Sequence, residues 1–153
     1  MNDNHSGLIK FAVGVTGHRD CNPQALPLLE ESVSNCLADI QRDFSNAPVE
    51  VVCGLAEGAD TIVARIALKL GLNVRAILPM PLESYRQDFS ENGLASLDEM
   101  LAHPNLLVTE IPVDTDGELD RDQQYVLLKD YIVRRSNVLL ALWDEQVTGL
   151  PGG

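Results

Sequence analysis

Five short apolar segments recur along the chain, and an amphipathic or irregular stretch separates each from the next. Each segment is rich in β-branched and aliphatic residues, a pattern typical of strands buried in a parallel sheet. The predicted strands are Leu8–Val15, Val49–Cys53, Asn73–Leu78, Leu106–Ile111 and Val138–Trp143.

The stretches between these strands predict helices, because their apolar residues return every three or four positions. The first, Pro27–Phe44, carries one apolar stripe that includes Val33 and Leu37. The second runs from the turn at Gly54–Asp60 to Gly71, a typical glycine at a helix C-terminus. The other predicted helices are Leu82–Phe89, Ala95–Leu101 and Asp120–Arg135.

Strand and helix alternate throughout, which predicts an α/β fold with a Rossmann-like, doubly wound parallel sheet. We expect the strand order 3-2-1-4-5, with the switch point between the first and fourth strands. Ligands in such folds bind beyond the carboxyl ends of the strands. The loops expected there are Thr16–Asp20, Gly54–Asp60, the loop after Glu110, and the residues from Asp144 onward.

Length and composition predict one globular domain, residues 8–153, after a disordered leader at residues 1–7. The chain has 153 residues, of which 45% are hydrophobic and 22% are charged. No apolar run approaches the roughly 20 residues that span a bilayer, and the first residues lack the pattern of a signal peptide. We therefore expect a cytoplasmic protein.

The charge balance bears on the binding partner. The net charge is −12, which argues against a broad nucleic-acid surface because such surfaces need clustered Lys and Arg. We therefore expect no nucleic-acid partner. The three cysteines are widely spaced without CxxC, and the acidic loop Asp114–Asp122 resembles a metal loop only superficially. No metal site is predicted.

Two loops carry residues suited to an anionic ligand. The segment Gly14–Arg19 is not GxGxxG, so a dinucleotide site is not expected. Gly54 and Gly58 precede a helix N-terminus, where free amides favour phosphate. Arg19 is the candidate phosphate partner, since guanidinium binds phosphate in bidentate fashion. Its alternative is an ion pair with a neighbouring carboxylate.

Other loop residues have two interpretations each. Asp60 is expected to be mainly structural, bonding loop amides at the helix N-terminus. Glu57 could hold a ribose hydroxyl or be solvated, and His18 is more simply a loop histidine. Trp143 could stack on a base or pack at the rim of the core. No Ser–His–Asp or Cys–His arrangement can be assigned.

Four motifs together resemble a known superfamily. They are Thr16-Gly-His-Arg19, Gly54-Leu-Ala-Glu-Gly-Ala-Asp60, Ala76-Ile-Leu-Pro79 and Ala141-Leu-Trp-Asp144. This set is similar to the superfamily that unites the Lonely Guy phosphoribohydrolases, the Rossmann domain of DNA-processing protein A (Smf) and the YpsA-like proteins, known as SLOG-type domains. The resemblance implies a Rossmann-like domain that binds nucleotides or their derivatives, often within a larger protein.

Individual branches of the superfamily differ from this chain. The DNA-processing branch usually has a basic residue where Glu57 stands. The phosphoribohydrolases have a Pro-Gly-Gly-x-Gly-Thr loop followed by a catalytic Glu, and Pro151-Gly152-Gly153 resembles its start. This ending leads us to expect that a final strand and helix are missing or are supplied by another chain.

The sequence therefore predicts binding or sensing of a nucleotide or nucleotide derivative, with a possible homo-oligomer or a larger multidomain protein as context. The alternatives are N-glycosidic cleavage of a nucleoside monophosphate, with Glu57 and Asp144 as candidate catalytic residues, or an interaction domain without a ligand. No cofactor beyond a phosphate-containing ligand is expected. The candidate binding residues are Thr16, Gly17, His18, Arg19, Gly54, Leu55, Ala56, Glu57, Gly58, Asp60, Trp143, Asp144, Gly152 and Gly153.

Overall fold

The structure, a computed structural model, describes residues 9–19, 21–111 and 119–143. Several predictions fall outside these residues: those for the leader 1–7, for Asp144, Gly152 and Gly153, and for most of the acidic loop. The described strands are β1 (Phe11–Gly17), β2 (Val49–Cys53), β3 (Asn73–Leu78), β4 (Leu106–Glu110) and β5 (Val138–Leu142). The described helices are α1 (Leu26–Asp43), α2 (Ala59–Lys69), α3 (Leu82–Tyr85), α4 (Glu91–Leu101) and α5 (Arg121–Arg135), with a 3₁₀ turn at Arg86–Asp88.

Side-chain caps fix where the last two helices begin. The Ser90 hydroxyl accepts a hydrogen bond from the Gly93 amide, so α4 begins four residues before the predicted Ala95. Asp120 and Gln123 form a reciprocal capping box that begins α5 where the sequence predicts it. Local side-chain chemistry thus explains where both helices begin. The start of α4 was predicted too late because Gly93, in its first turn, is an unfavourable residue inside a helix.

The five strands form one parallel sheet in the order β4-β3-β2-β1-β5. The α/β class and the Rossmann-like parallel sheet are therefore confirmed, including the central run 3-2-1. The fourth strand differs from the expected place beside β1, since it pairs with β3 at one edge and β5 takes the place beside β1. The switch point accordingly lies between β1 and β5.

The faces that the helices cover explain this order. Val33 and Leu37 of α1, Val63 of α2 and Leu97 of α4 share the main core cluster on one face. A right-handed crossover on that face keeps moving the chain away from β1, so β4 follows β3 outward. Helix α5 packs instead on the other face, where Leu128 and Ile132 contact Ala12, Val52 and Ile77. Its crossover returns the chain to β1.

The second face is only partly covered, which the apolar strands did not predict. Lys10, Glu50 and Arg75 lie at alternating positions that share the face of Ala12 and Val52, at the amino half of the sheet. Lys10 and Arg75 both reach the carboxylate of Glu50, at 3.2 and 3.5 Å. A charged row of this kind is tolerated because no helix of the described chain covers this half of the face.

Candidate functional site

The loops after β1 and β2 meet at the carboxyl ends of the strands, as the sequence predicts. The His18 carbonyl accepts a hydrogen bond of 3.1 Å from the Ala59 amide, which joins the first loop to the start of α2. We call this edge the carboxyl rim and define it by Thr16–Arg19, Gly54–Asp60, Tyr125 and Trp143. It is the region in which the candidate binding residues of the described chain lie together.

Two glycines of the rim, Gly17 and Gly58, are required because a Cβ would meet backbone, and a third, Gly54, lies close to a leucine side chain. A Cβ on Gly17 would lie 2.5 Å from the Cβ of Ala59 and 2.8 Å from the Leu142 carbonyl. A Cβ on Gly54 would lie 2.9 Å from a methyl carbon of Leu128. Gly58 has φ +90°, and a Cβ there would meet the backbone carbonyl of Arg19. These glycines bring the loops together and leave no gap that a ligand must fill.

The amides of the second loop are bonded to the protein itself. Asp60 accepts hydrogen bonds from the amides of Gly54 and Ala56 at 3.1 and 3.2 Å. Burial raises the pKa of Asp60 to about 6, despite these two hydrogen bonds to the charged form. The predicted phosphate cradle is therefore largely occupied by a carboxylate of the same chain. The side chain of Leu55, another candidate, is buried in the core.

Glu57 connects the second loop to α4. Its carboxylate accepts hydrogen bonds from the backbone amide and the hydroxyl of Ser90, which is the residue that caps α4. This engagement accounts for Glu57 without a ribose or a catalytic role. Asp144, the other candidate catalytic residue, lies outside the described residues.

The rim has two large exposed side chains, Arg19 and Trp143, and the half-buried Tyr125 lies beside Arg19. The Arg19 side chain is exposed, and its guanidinium lies 5.1 Å from the ring centre of Tyr125. Gly17 pairs with Leu142 across β1 and β5, so Trp143 follows directly at the rim beside His18. Trp143 is 65% exposed, which favours the stacking interpretation over packing in the core.

Sequence reasoning missed a polar network that supports Tyr125. Its hydroxyl donates to Asp88 at 2.6 Å, and Arg121 pairs with the same carboxylate at 3.0 Å. Arg121 also donates to the Ser84 carbonyl at 2.8 Å, which fixes the turn after β3. The available signal was the capping box at Asp120, because it places Arg121 and Tyr125 at i, i+4 on one face of α5.

Tyr85 supports the rim from below. It is fully buried, and its hydroxyl donates to the Gly54 carbonyl at 2.8 Å. Burial raises the pKa of Tyr85, so the hydroxyl keeps its proton and the hydrogen bond. The segment after β3 is thereby anchored to the loop after β2.

The described residues, 9–19, 21–111 and 119–143, contain neither a candidate metal site nor a helix that could span a membrane. No group of three or more His, Cys, Asp or Glu side chains there is placed to hold a metal ion. No helix in those ranges is long and apolar enough to cross a membrane.

Comparison with known proteins gives a family and a fold. The model of the family described as DNA recombination-mediator protein A matches residues 4–122. DNA processing protein A from Helicobacter pylori has a similar fold with a TM-score of 0.54 and 17% identity, covering 90% of this chain and 56% of that one. DNA processing protein A from Streptococcus pneumoniae gives a TM-score of 0.41 at 17% identity, covering 92% and 53%. No curated protein matches the chain.

The chain thus spans little more than half the length of these two solved proteins. The Helicobacter pylori protein is described as binding single-stranded DNA in a distinctive mode. The resemblance to the superfamily that includes DNA-processing protein A is confirmed.

These comparisons contradict two predictions made from the sequence. The predicted function, binding or sensing of a nucleotide, is wrong. The predicted partners, a small-molecule nucleotide and no nucleic acid, are wrong too. The first error treated the glycine loop as an open phosphate cradle, whereas Asp60 holds its amides. The second treated the net charge of −12 as a property of every surface. Net charge excludes a broad basic surface but not a short local contact.

Proposed function

The chain belongs to the DNA recombination-mediator protein A family, and from that premise we propose that it binds single-stranded DNA at the carboxyl rim. The observation that carries the proposal is the grouping of an exposed arginine with two aromatic rings. Arg19 lies over Tyr125, and the exposed Trp143 continues from β5 beside the loop that holds Arg19. Proteins that bind single strands combine cationic groups for the backbone with aromatic rings for the bases.

In this proposal, Arg19 binds a backbone phosphate and Trp143 stacks on a base. Guanidinium suits this role because it makes two parallel hydrogen bonds to phosphate oxygens. Asp60 and Tyr85 keep the loop after β2 in shape but make no contact with DNA. Because Arg19 is the one cation assigned to a phosphate at the rim, this contact by itself gives only a moderate dependence on salt. A cytoplasmic location is part of the same proposal.

The first test is titration with labelled oligo(dT) of about 12 nucleotides, followed by fluorescence anisotropy. Arg19→Ala should weaken binding roughly 10- to 150-fold, which corresponds to about 1.5–3 kcal/mol for a charged hydrogen-bonded contact. The control is Arg42→Ala, because Arg42 is an exposed arginine at the end of α1, away from the rim. Unchanged affinity in Arg19→Ala, or equal losses in both variants, would remove Arg19 from the site.

The chain contains a single tryptophan, so fluorescence excited selectively at tryptophan reports on Trp143 alone. Stacking of a base should quench this fluorescence along the same curve as the anisotropy. Duplex DNA of the same length should quench less, because its bases are already stacked. Binding by anisotropy without any quenching would place the DNA away from Trp143, and no binding at all would overturn the proposed function.

A further inference from the structure

A second group of cations lies at the opposite end of the sheet. An open groove of about 550 Å³ runs along the uncovered half of the second face, beside the C-terminal end of α5. Its floor is formed by Ala12, Val52 and Ile77, and Tyr131 forms one wall. We call it the basic groove and define it by its charged residues, Lys10, Glu50, Arg75, Arg134 and Arg135.

The charge in the basic groove opposes that of the whole protein. Four of the 11 Lys and Arg residues line it, against one of the 23 Asp and Glu residues. The one acid, Glu50, is only 8% exposed and is engaged by Lys10 and Arg75. Asp130 lies on α5 and pairs with Arg134 at 2.8 Å. The groove is therefore a locally positive surface on an acidic protein.

Two of the four cations, Arg134 and Arg135, lie at the open side of the groove with their guanidinium groups accessible to solvent. The Arg135 guanidinium lies 4.1 Å from the ring centre of Tyr131, a stacked arrangement that leaves its edges open to an anion. The Arg134 side chain is 77% exposed, and its ion pair with Asp130 is a surface pair of little strength. The macrodipole of α5 accounts for basic residues in its last turn. It does not account for Lys10 and Arg75, which come from the sheet.

Helix α5 connects the basic groove with the carboxyl rim. Tyr125, near its start, contacts Arg19 at the rim, and Arg134 and Arg135, at its end, line the groove. Tyr125 and Arg134 are nine residues apart on this helix, a distance of roughly 14 Å along its axis. At about 3.4 Å per nucleotide, the rise of one strand in a duplex, this distance corresponds to about four nucleotides.

We propose that the basic groove is a second contact for single-stranded DNA, in which Arg134 and Arg135 bind backbone phosphates of the strand held at the carboxyl rim. This inference rests on the proposed function, since it extends the path of the same ligand. The ring of Tyr131, with Arg135 over it, offers an aromatic group for one base between the phosphate contacts. An acidic protein segment is the competing occupant, and the test below separates the two.

The experiment compares Arg134→Gln/Arg135→Gln with wild type and with the control Arg42→Gln/Lys69→Gln. The control removes the same charge from the last turns of α1 and α2, on the opposite face of the sheet. Arg42 also has an acidic partner within its own helix, as Arg134 has. Affinity for oligo(dT) of about 12 nucleotides is measured by anisotropy over a range of salt concentrations, after equal urea midpoints have shown that the variants are folded.

Loss of two phosphate contacts should lower the slope of log K against log salt by about 1.4, at about 0.7 for each contact with a single strand. Affinity at low salt should fall about tenfold or more in the groove variant, and the control should keep the wild-type slope. Oligo(dT) of about two nucleotides should bind wild type and the groove variant equally, because it is too short to reach from the rim to the groove.

The outcomes separate this inference from the proposed function. If the groove variant and the control have equal slopes of log K against log salt, while Arg19→Ala binds weakly, the groove does not bind DNA and the rim site remains supported. Absence of wild-type binding to any oligonucleotide would overturn both. If poly-glutamate binds wild type and loses affinity in the groove variant, while DNA binding is unchanged, the groove belongs to an acidic partner and the inference is wrong.

Discussion

The carboxyl rim and the basic groove use polar groups in opposite ways. At the rim, Asp60 and Glu57 bond to amides of the chain, and Tyr85 bonds to the Gly54 carbonyl. In the groove, Arg134 and Arg135 extend from the end of a helix toward solvent. The rim residues mainly determine the shape of the protein, and the groove residues mainly determine its local charge. This difference shows that a glycine-rich motif can serve to pack one loop against another without itself binding a ligand.

This contrast predicts where substitutions will damage the fold. Changes at the glycines and at the buried hydrogen-bonded groups of the rim should cost folding free energy, because they disturb contacts within the protein. Changes in the groove should cost little, because its cations can be hydrated where they stand.

The largest effect is expected for Gly58→Ala. Gly58 has φ +90°, and a Cβ there would meet the backbone carbonyl of Arg19, so the variant combines backbone strain with a clash that no side chain can relieve. We expect a loss of about 3 kcal/mol or more in the free energy of unfolding, measured with urea. Gly71→Ala is the matched control, because Gly71 has φ +77° but nothing within 4 Å of the added Cβ. It should lose only about 1 kcal/mol. Equal losses would mean that the contact between the two rim loops is not tight.

The sequence was sufficient to predict the five strands and the edge where the first two loops meet. Both depend on local signals, namely apolar runs such as Val49–Cys53 and glycine turns such as Gly54–Asp60. It was not sufficient to place β4, because the position of an edge strand depends on which face its crossover helix covers. Helix α4 is amphipathic, whereas α5 buries Leu128 and Ile132 but exposes other apolar residues, and neither pattern shows which face of the sheet the helix covers.

The binding partner was mispredicted for a related reason. Net charge is a sum over the whole chain, whereas binding depends on the charge of one surface. Lys10, Glu50 and Arg75 stand at alternating positions in three strands, and this row was visible in the sequence as charge where a covered sheet would be apolar. Only the register shows that the three residues share a face. Likewise, only the position of Asp60 in the structure shows that the amides of Gly54 and Ala56 are already hydrogen-bonded.

An intermediate effect is expected from the titration of Asp60. Burial raises its pKa from 3.8 to about 6, so the folded state binds the proton more tightly than the unfolded state. This group therefore favours folding most below about pH 4, and that contribution is lost as the pH rises to about 6. In Asp60→Asn, which cannot ionise at this position, the fall in unfolding free energy between about pH 4 and 6 should disappear. The difference in unfolding free energy between wild type and variant should change by on the order of 2 kcal/mol across this window.

Asp88→Asn is the control for that experiment. Partial burial opposes the charged form of Asp88, but hydrogen bonds from Tyr125 and Arg121 outweigh it and lower its pKa. Its stabilising effect is therefore complete above about pH 4 and is lost only at lower pH. If Asp60→Asn and Asp88→Asn show the same profile between pH 4 and 6, the carboxylate of Asp60 is not buried in solution.

The smallest effect is expected in the basic groove, for Lys10→Met. The Lys10 side chain is 40% exposed and pairs with Glu50 at 3.2 Å, while Arg75 remains as a second partner for that carboxylate. Methionine keeps most of the apolar length of lysine, so the substitution removes the charge with little loss of packing. We expect a change of about 0.5 kcal/mol in the free energy of unfolding by urea, similar to that of Arg42→Met on the opposite face. A loss above about 2 kcal/mol for Lys10→Met alone would show that Glu50 depends on Lys10 for its burial. The groove would then be a structural ion-pair network like that of the rim, and the contrast between the two regions would fail.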